Sequence, residues 1–287
     1  MAETVKNIAL KDLHDFPENP FKVQDNEEMA AMAESIRDYG IISPLIVRPR
    51  DEGGGYEIIS GHRRKYASQK AGIEKVPAFV RSMDRDAAVI ALVDSNMHRE
   101  NILPSEKAYA YKLKLEAMKR QGQRTDLGTS RQVVDKSKSA DQLGQDADVS
   151  GRTIQRYIRL TELIPPVLQL VDDGLLSFTS AIDVSYLSPA EQENLYETMQ
   201  SEERAPSMSQ AQRIKQLSQA GRLDMDAIFT IMTEEKPNEK EKIKLHKDRI
   251  ERFFPKGYSM RQMEDTIIKL LADWQRRRER ANREHER

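Results

Sequence analysis

The chain has 287 residues, of which 38% are hydrophobic, 32% charged and 6% aromatic, which suits two or three modules with modest cores and heavily solvated surfaces. It contains no cysteine, which excludes disulfides, thiolate nucleophiles, cysteine metal sites and thiol redox chemistry together. A formal net charge of -1 excludes a protein that coats polyanions over its whole surface, but leaves room for a local basic face.

Met1 to Lys11 has no apolar signal core, and no later run approaches the roughly 20 apolar residues that span a bilayer. A cytoplasmic protein without membrane contact is therefore expected. From Asp25 to Tyr39 the pattern predicts a helix: Asp25 and Glu28 have capping-box spacing, Met29, Met32, Ala33 and Ile36 share one face, and Gly40 ends it. Three short runs have strand character, Leu45–Val47, Tyr56–Ile59 and Val76–Val80, with a Gly53-Gly54-Gly55 turn after the first and a helix-like segment from His62 to Lys70 before the third.

Tyr56 to Lys65 therefore reads as strand, then Ser60-Gly61, then a helix whose first turn is His62-Arg63-Arg64-Lys65. Free backbone N–H groups, a permissive glycine and two guanidinium groups suit a phosphate. The same junction is more often plain surface, and needs company to mean more. After Asp84 the strand signals stop. Helices are predicted from Ala87 to about Arg99 and from Pro104 to Arg120, the second opened by proline. Gln121 to Ser139 reads as a linker, Met199 to Ser209 as a polar break, and Glu234 to Lys244 as a solvated helix face or linker. Tyr66, Tyr109 and Tyr111 are expected in the core.

Between Ser139 and Leu163 the spacing is that of a helix-turn-helix. Ala140, Leu143, Gly144 and Ala147 mark a first short helix, Asp148-Val149-Ser150 a turn, and Gly151 opens a second helix. Ile154, Tyr157, Ile158 and Thr161 share one face of that helix, while Arg152, Gln155, Arg156 and Arg159 lie on the other. Guanidinium groups pair with guanine or phosphate and a carboxamide with adenine, and Ser150 and Thr153 at the helix start can hold phosphate. The alternative is a merely solvated basic face. In the carboxy-terminal region Met260, Met263, Ile267, Leu270, Leu271 and Trp274 recur at helical spacing, a stripe that can pair with its own copy or pack within the chain. Arg276, Arg277, Arg278, Arg280 and Arg283 follow as a basic tail suited to nonspecific phosphate contacts.

Several segments together resemble the ParB partition-protein family. Ser60-Gly61-His62-Arg63-Arg64-Lys65-Tyr66-Ala67 is similar to its arginine box, and Asn96 to Tyr111 to its second nucleotide box. Asn19-Pro20-Phe21, Glu34 to Gly40 and Ile41 to Pro49 are similar to its amino-terminal domain, so that the likeness runs from about Ile8 to Leu187. The resemblance implies an α+β protein: a small mixed α/β domain of ParB/sulfiredoxin type over residues 1–101, an all-α helix-turn-helix domain over 102–218, and a helical region over 219–287. It implies CTP and Mg²⁺ held by Gly61, His62, Arg63, Arg64, Asn96 and Arg99, with Asn96 toward the metal. It also implies double-stranded DNA carrying a parS-like site on Ser150, Arg152, Thr153, Gln155, Arg156 and Arg159, a homodimer, and a nucleoid- or plasmid-associated location. A ParA-like ATPase would usually engage the extreme amino terminus, where Met1 to Ile8 carries no arginine.

Three positions depart from the family. Ser95 stands where its catalytic glutamate is usual, and Asp94 lies about 100° away around the helix, so only weak CTPase activity, or none, is expected. Phe21-Lys22-Val23 replaces a run with glutamine and arginine, which leaves base choice open, and Leu176 to Ile182 replaces a Gly-His-Ala-Arg run, which implies a different DNA site. The expectation is a partition protein of plasmid or mobile-element type. The alternative is a helix-turn-helix regulator that has lost nucleotide switching. The chain also resembles sulfiredoxin around Gly61-His62-Arg63, but that chemistry needs a thiol. His62 and His98 lack zinc-site company, and no metal cluster for nuclease activity is visible.

Overall fold

The computed structural model describes residues 5–99, 101–125, 143–144, 149–234, 253–254 and 258–285. The chain forms two compact units, residues 1–234 and 235–287. Within the first, strands β1 (Val5–Ala9), β2 (Leu13–Asp15), β3 (Leu45–Pro49), β4 (Tyr56–Ser60) and β5 (Lys75–Val80) form one mixed sheet in the order β1-β5-β3-β4-β2. The β3–β4 and β1–β5 pairs are antiparallel; β3–β5 and β2–β4 are parallel.

Both faces of the sheet are covered. Leu45, Val47, Ile58, Val76 and Ala78 pack together on one side, continuing through Ile41 and Ile73 to Met29, Ala33 and Ile36 of α1 (Glu27–Tyr39) and Ala67 of α2 (His62–Lys70). Ile46 and Ile59, one residue out of phase, join Phe16, Phe21, Leu92 and Val93 with α3 (Arg85–Asn96) and α4 (Pro104–Thr125). Burial on two faces explains why these strands read as unbroken apolar runs rather than alternating ones. Strands β1 and β2 escaped the sequence pattern because both lie at the sheet edges, with only Ile8 and Leu13 buried between them.

The N-cap of α1 is Asn26, whose Oδ1 accepts from Met29 N at 3.1 Å, and not Asp25. Asp25 instead accepts from the Tyr66 hydroxyl and pairs with Lys70, holding α1 to α2. The helix beginning at Pro104 extends five residues past the expected Arg120, to Thr125, shortening the linker expected from Gln121. Of the three tyrosines expected in the core, Tyr111 is buried, but Tyr109 is exposed.

Five helices follow the recognition segment α5 (Gly151–Arg159): α6 (Pro165–Asp172), α7 (Phe178–Val184), α8 (Pro189–Ser201), α9 (Met208–Gln219) and α10 (Met225–Thr233). They enclose a core of Leu160, Val167, Leu176, Ala181, Leu195, Ala211 and Ile214. Ile228, Ile231 and Met232 of α10 complete this same core, so by packing α10 joins the helix-turn-helix region rather than the segment that follows residue 218. In the second unit, α11 (Met260–His285) opens with a Ser259–Gln262 capping box. Met263 is buried, while Ile268, Leu270, Leu271 and Trp274 are exposed. The linker segment 126–139 and the mixed-charge run 235–244 lie outside the described residues, as do the side chains of Arg277, Arg278, Arg280 and Arg283.

Candidate nucleotide pocket and DNA interface

The β4-to-α2 junction requires glycine. Gly61 is the left-handed N-cap of α2 at φ 112°, and a Cβ there would meet Leu45 Cγ at 2.7 Å. The first turn of α2 then projects its cations in different directions. Arg64 donates to the carbonyls of Ser43 and Pro44, the latter at 2.9 Å, and burial pushes its pKa down. Arg63 is half-exposed and pairs with Glu28 of α1 at 3.0 Å, and Lys65 pairs with Asp15 at 3.0 Å. His62 is buried with no hydrogen-bond partner for Nε2, and burial lowers its pKa to about 4.

Arg99, which follows α3, comes within electrostatic reach of this box. Burial, then the like charge of Arg63, lowers its pKa, and Glu106 opposes that shift. Guanidinium groups from segments 36 residues apart thus lie within electrostatic reach of one another, a repulsion that a polyanion would relieve. Phe21 lies beneath Arg99, with Cζ 5.7 Å from the ring centroid. Glu106 accepts from Lys22 N at 2.8 Å and Leu103 N at 3.2 Å, joining the early segment to the start of α4. Phe21 opens the altered early run and Glu106 lies within the Asn96–Tyr111 box, but neither was assigned a role from sequence, although glutamate two residues after the Pro104 that opens a helix is a capping signal.

Asn96 is buried, and its Nδ2 donates to the Leu92 carbonyl at 2.7 Å; Ser95 Oγ donates to the same oxygen. Asp94 is engaged by Lys114 at 2.6 Å. Among the described residues no group of three or more histidine, aspartate or glutamate side chains is placed to hold a metal ion. The donor set does not fit a Mg²⁺ held by the protein, since that ion takes carboxylates or phosphate oxygens, whereas Glu28 is paired with Arg63, Asp94 with Lys114, and Glu106 accepts from the backbone of Lys22 and Leu103.

At the DNA candidate, Ser150 caps α5, its Oγ accepting from Thr153 N at 3.1 Å, and the two hydroxyls lie 2.9 Å apart. Ile154 is fully buried against Tyr111, Leu115 and Leu143 of the supporting helices. The first helix of the motif is described only at Leu143 and Gly144. There a Cβ on Gly144 would lie 2.5 Å from the Val149 carbonyl, so the close turn admits glycine alone. Arg152 and Gln155 are exposed on the face away from Ile154. Arg156 stands over the Phe178 ring, with Cζ 5.1 Å from its centroid.

Arg159, expected on the same outward flank, is engaged within the chain: Nη2 donates to the Ser185 carbonyl at 2.7 Å, Nε to Ser185 Oγ at 3.2 Å, and Cζ sits 4.2 Å from the Tyr186 centroid. Ser185 and Tyr186 lie 26 and 27 residues further on, beyond the reach of any local pattern. No helix among the described residues is long and apolar enough to cross a membrane.

Residues 1–97 match the family model described as the ParB N-terminal domain. The chain is 33% identical over 212 residues to the probable chromosome 1-partitioning protein ParB of Deinococcus radiodurans, covering 74% of this chain and 65% of that protein. It is 30% identical over 213 residues to the chromosome-partitioning protein Spo0J of Thermus thermophilus, covering 74% of this chain and 70% of that protein. A crystal structure of the C-terminally truncated chromosome-partitioning protein ParB from Caulobacter crescentus, complexed to the centromeric parS site, is similar at 21% identity over 74% of this chain and 98% of that chain. Its TM-score is 0.44.

Proposed function

Because the chain belongs to the ParB family of chromosome-partitioning proteins, we propose that it binds a centromere-like, parS-type duplex in sequence-specific fashion and uses CTP at the Gly61–Arg64 junction as its switch. The observation that carries the first part is α5 itself. A capped helix, anchored by fully buried Ile154, presents Arg152 and Gln155 to solvent, the side-chain chemistry that reads guanine and adenine in a major groove. The second part is supported by the glycine-capped N-terminus of α2, with Arg63 in its first turn and Arg99 within electrostatic reach of Arg63.

Gly61 lets the triphosphate approach the backbone, Arg63 exchanges Glu28 for phosphate, and Arg99 neutralises a second phosphate from the opposite segment. Arg64 supports the β3 entry through its two carbonyl contacts, and Asn96 offers its remaining oxygen. Mg²⁺, if it enters with the triphosphate, would supply charge neutralisation there without a carboxylate from this site. Turnover is slow or absent, because Ser95 and Asn96 fold back on Leu92 and Asp94 is held by Lys114. The protein acts on a nucleoid or plasmid as a homodimer, with a ParA-like ATPase as the further partner of such a system.

The Ser95 position also favours a second reading, a regulator that keeps the DNA fold without the switch. CTP affinity measured by calorimetry on the full chain separates the two, and Arg63→Ala is the cleaner control because Arg64 also supports the fold. Binding that falls about tenfold or more in Arg63→Ala is expected. No CTP binding by the wild-type chain selects the regulator.

A further inference from the structure

We propose that Arg159 does not contact DNA, and that with Ser185 and Tyr186 it forms a strut setting the angle at which α5 meets the duplex; the inference rests on the duplex-binding reading of α5. Arg159 is the last residue of α5 and, by helical period, shares the outward flank of Arg152, Gln155 and Arg156. A reader there would hold its guanidinium free. Instead three contacts engage it: Nη2 to the Ser185 carbonyl at 2.7 Å, Nε to Ser185 Oγ at 3.2 Å, and the ring of Tyr186 beneath Cζ at 4.2 Å.

Ser185 is the C-cap of α7, and its carbonyl is among those that a helix end leaves without an intrahelical donor. A guanidinium satisfies that group and places positive charge at the negative end of the helix dipole. Ser185 is itself buried and fixed, its hydroxyl donating to the Ile182 carbonyl at 2.7 Å. Tyr186 takes a second cation from α9: Lys215 Nζ lies 3.9 Å from the same centroid and donates to Asp183 Oδ1 at 2.9 Å. One ring and one short helix thus hold the end of α5 to α9.

A second tie lies further back along α5. Phe178, the first residue of α7, packs 4.8 Å from the Tyr157 ring and carries Arg156 over its face at 5.1 Å. One contact point would leave α5 free to pivot, whereas two, at opposite ends of α7, fix its direction. Arg152 and Gln155 can reach defined base edges only if that direction is held to a fraction of an ångström. The strut therefore acts on specificity without adding a phosphate contact.

The test uses the full chain, a duplex selected from a randomised pool by the wild-type protein, and poly(dI–dC) as the nonspecific probe, each titrated across a salt series. Arg159→Met and Tyr186→Leu are each expected to weaken binding to the selected duplex about tenfold. Their effects should be strongly non-additive in the double variant. The slope of log affinity against log salt should match wild type in both, and Tyr186→Phe, which keeps the ring, should bind as wild type does. If Arg159→Met does not fold, the Tyr186 pair carries the same comparison. A slope shallower by about one in Arg159→Met would make Arg159 a phosphate contact, and relaxed preference at a single base pair would make it a reader. Failure of Tyr186→Phe to match wild type would remove the ring from the account. Any of these overturns the strut. Absence of a selectable duplex for the wild-type chain would overturn the duplex reading itself, and the strut with it.

Discussion

His62 shows how burial at a helix start becomes a property of the whole chain. Its imidazole lies within the electrostatic reach of Asp15, Lys65 and Arg99, but burial dominates and holds its pKa near 4 instead of about 6.5. The unfolded chain takes up a proton near pH 6.5 that the folded chain refuses until about pH 4. The corresponding stability is fully present above pH 6.5 and is lost as pH falls through that window, a total of about 3 kcal/mol. His62→Gln has no proton to take up, so its stability curve between pH 6.5 and 4, followed by urea unfolding, should fall less steeply than that of wild type. Parallel curves would refute the assignment. The position was legible as part of a phosphate-type junction, but not as a buried neutral imidazole, because only the packing of β4, α2 and the Arg99 segment around it sets its environment.

Among the elements, the recognition helix was the most legible. Its cap, its buried isoleucine and its exposed Arg152 and Gln155 follow from 3.6-residue periodicity and the preference of serine for helix starts. Gly144 was legible as a small residue in the first helix, and the structure adds the reason, a carbonyl 2.5 Å from where a Cβ would stand. Gly144→Ala is therefore expected to force the turn open, lowering the melting temperature by several degrees and duplex affinity by at least tenfold. CTP affinity should fall far less than duplex affinity, since none of Gly61, Arg63, Arg64, Asn96 and Arg99 belongs to the packed core around Ile154, which the second nucleotide box joins only through Met97 and Tyr111. Wild-type duplex binding by the folded variant would contradict this. The edge strands β1 and β2, and the tie between α5 and α7, were not legible. The first pair buries too few residues to leave a pattern, and the tie joins residues whose proximity depends on three helices packing at once.

For the whole molecule, the exposed Leu270, Leu271 and Trp274 of α11 form a strip by helical period on a helix that belongs to its own compact unit. Pairing of two such strips is the expected route to a dimer, and a twofold dimer suits a palindromic site. Sedimentation of the full chain should give a dimer and of residues 1–234 a monomer; a dimer from both would move the interface into the first unit. Sequence-specific binding by the whole molecule depends on α5 meeting base edges. Its most direct test is fluorescence anisotropy with a duplex selected from a randomised pool, comparing the wild-type chain with the Arg152→Ala, Gln155→Ala double variant. The wild type should prefer the selected duplex over poly(dI–dC) by about a thousandfold or more. The double variant should lose most of that preference while still binding poly(dI–dC) weakly. An unchanged preference in the double variant would place sequence reading elsewhere on the molecule and contradict the account.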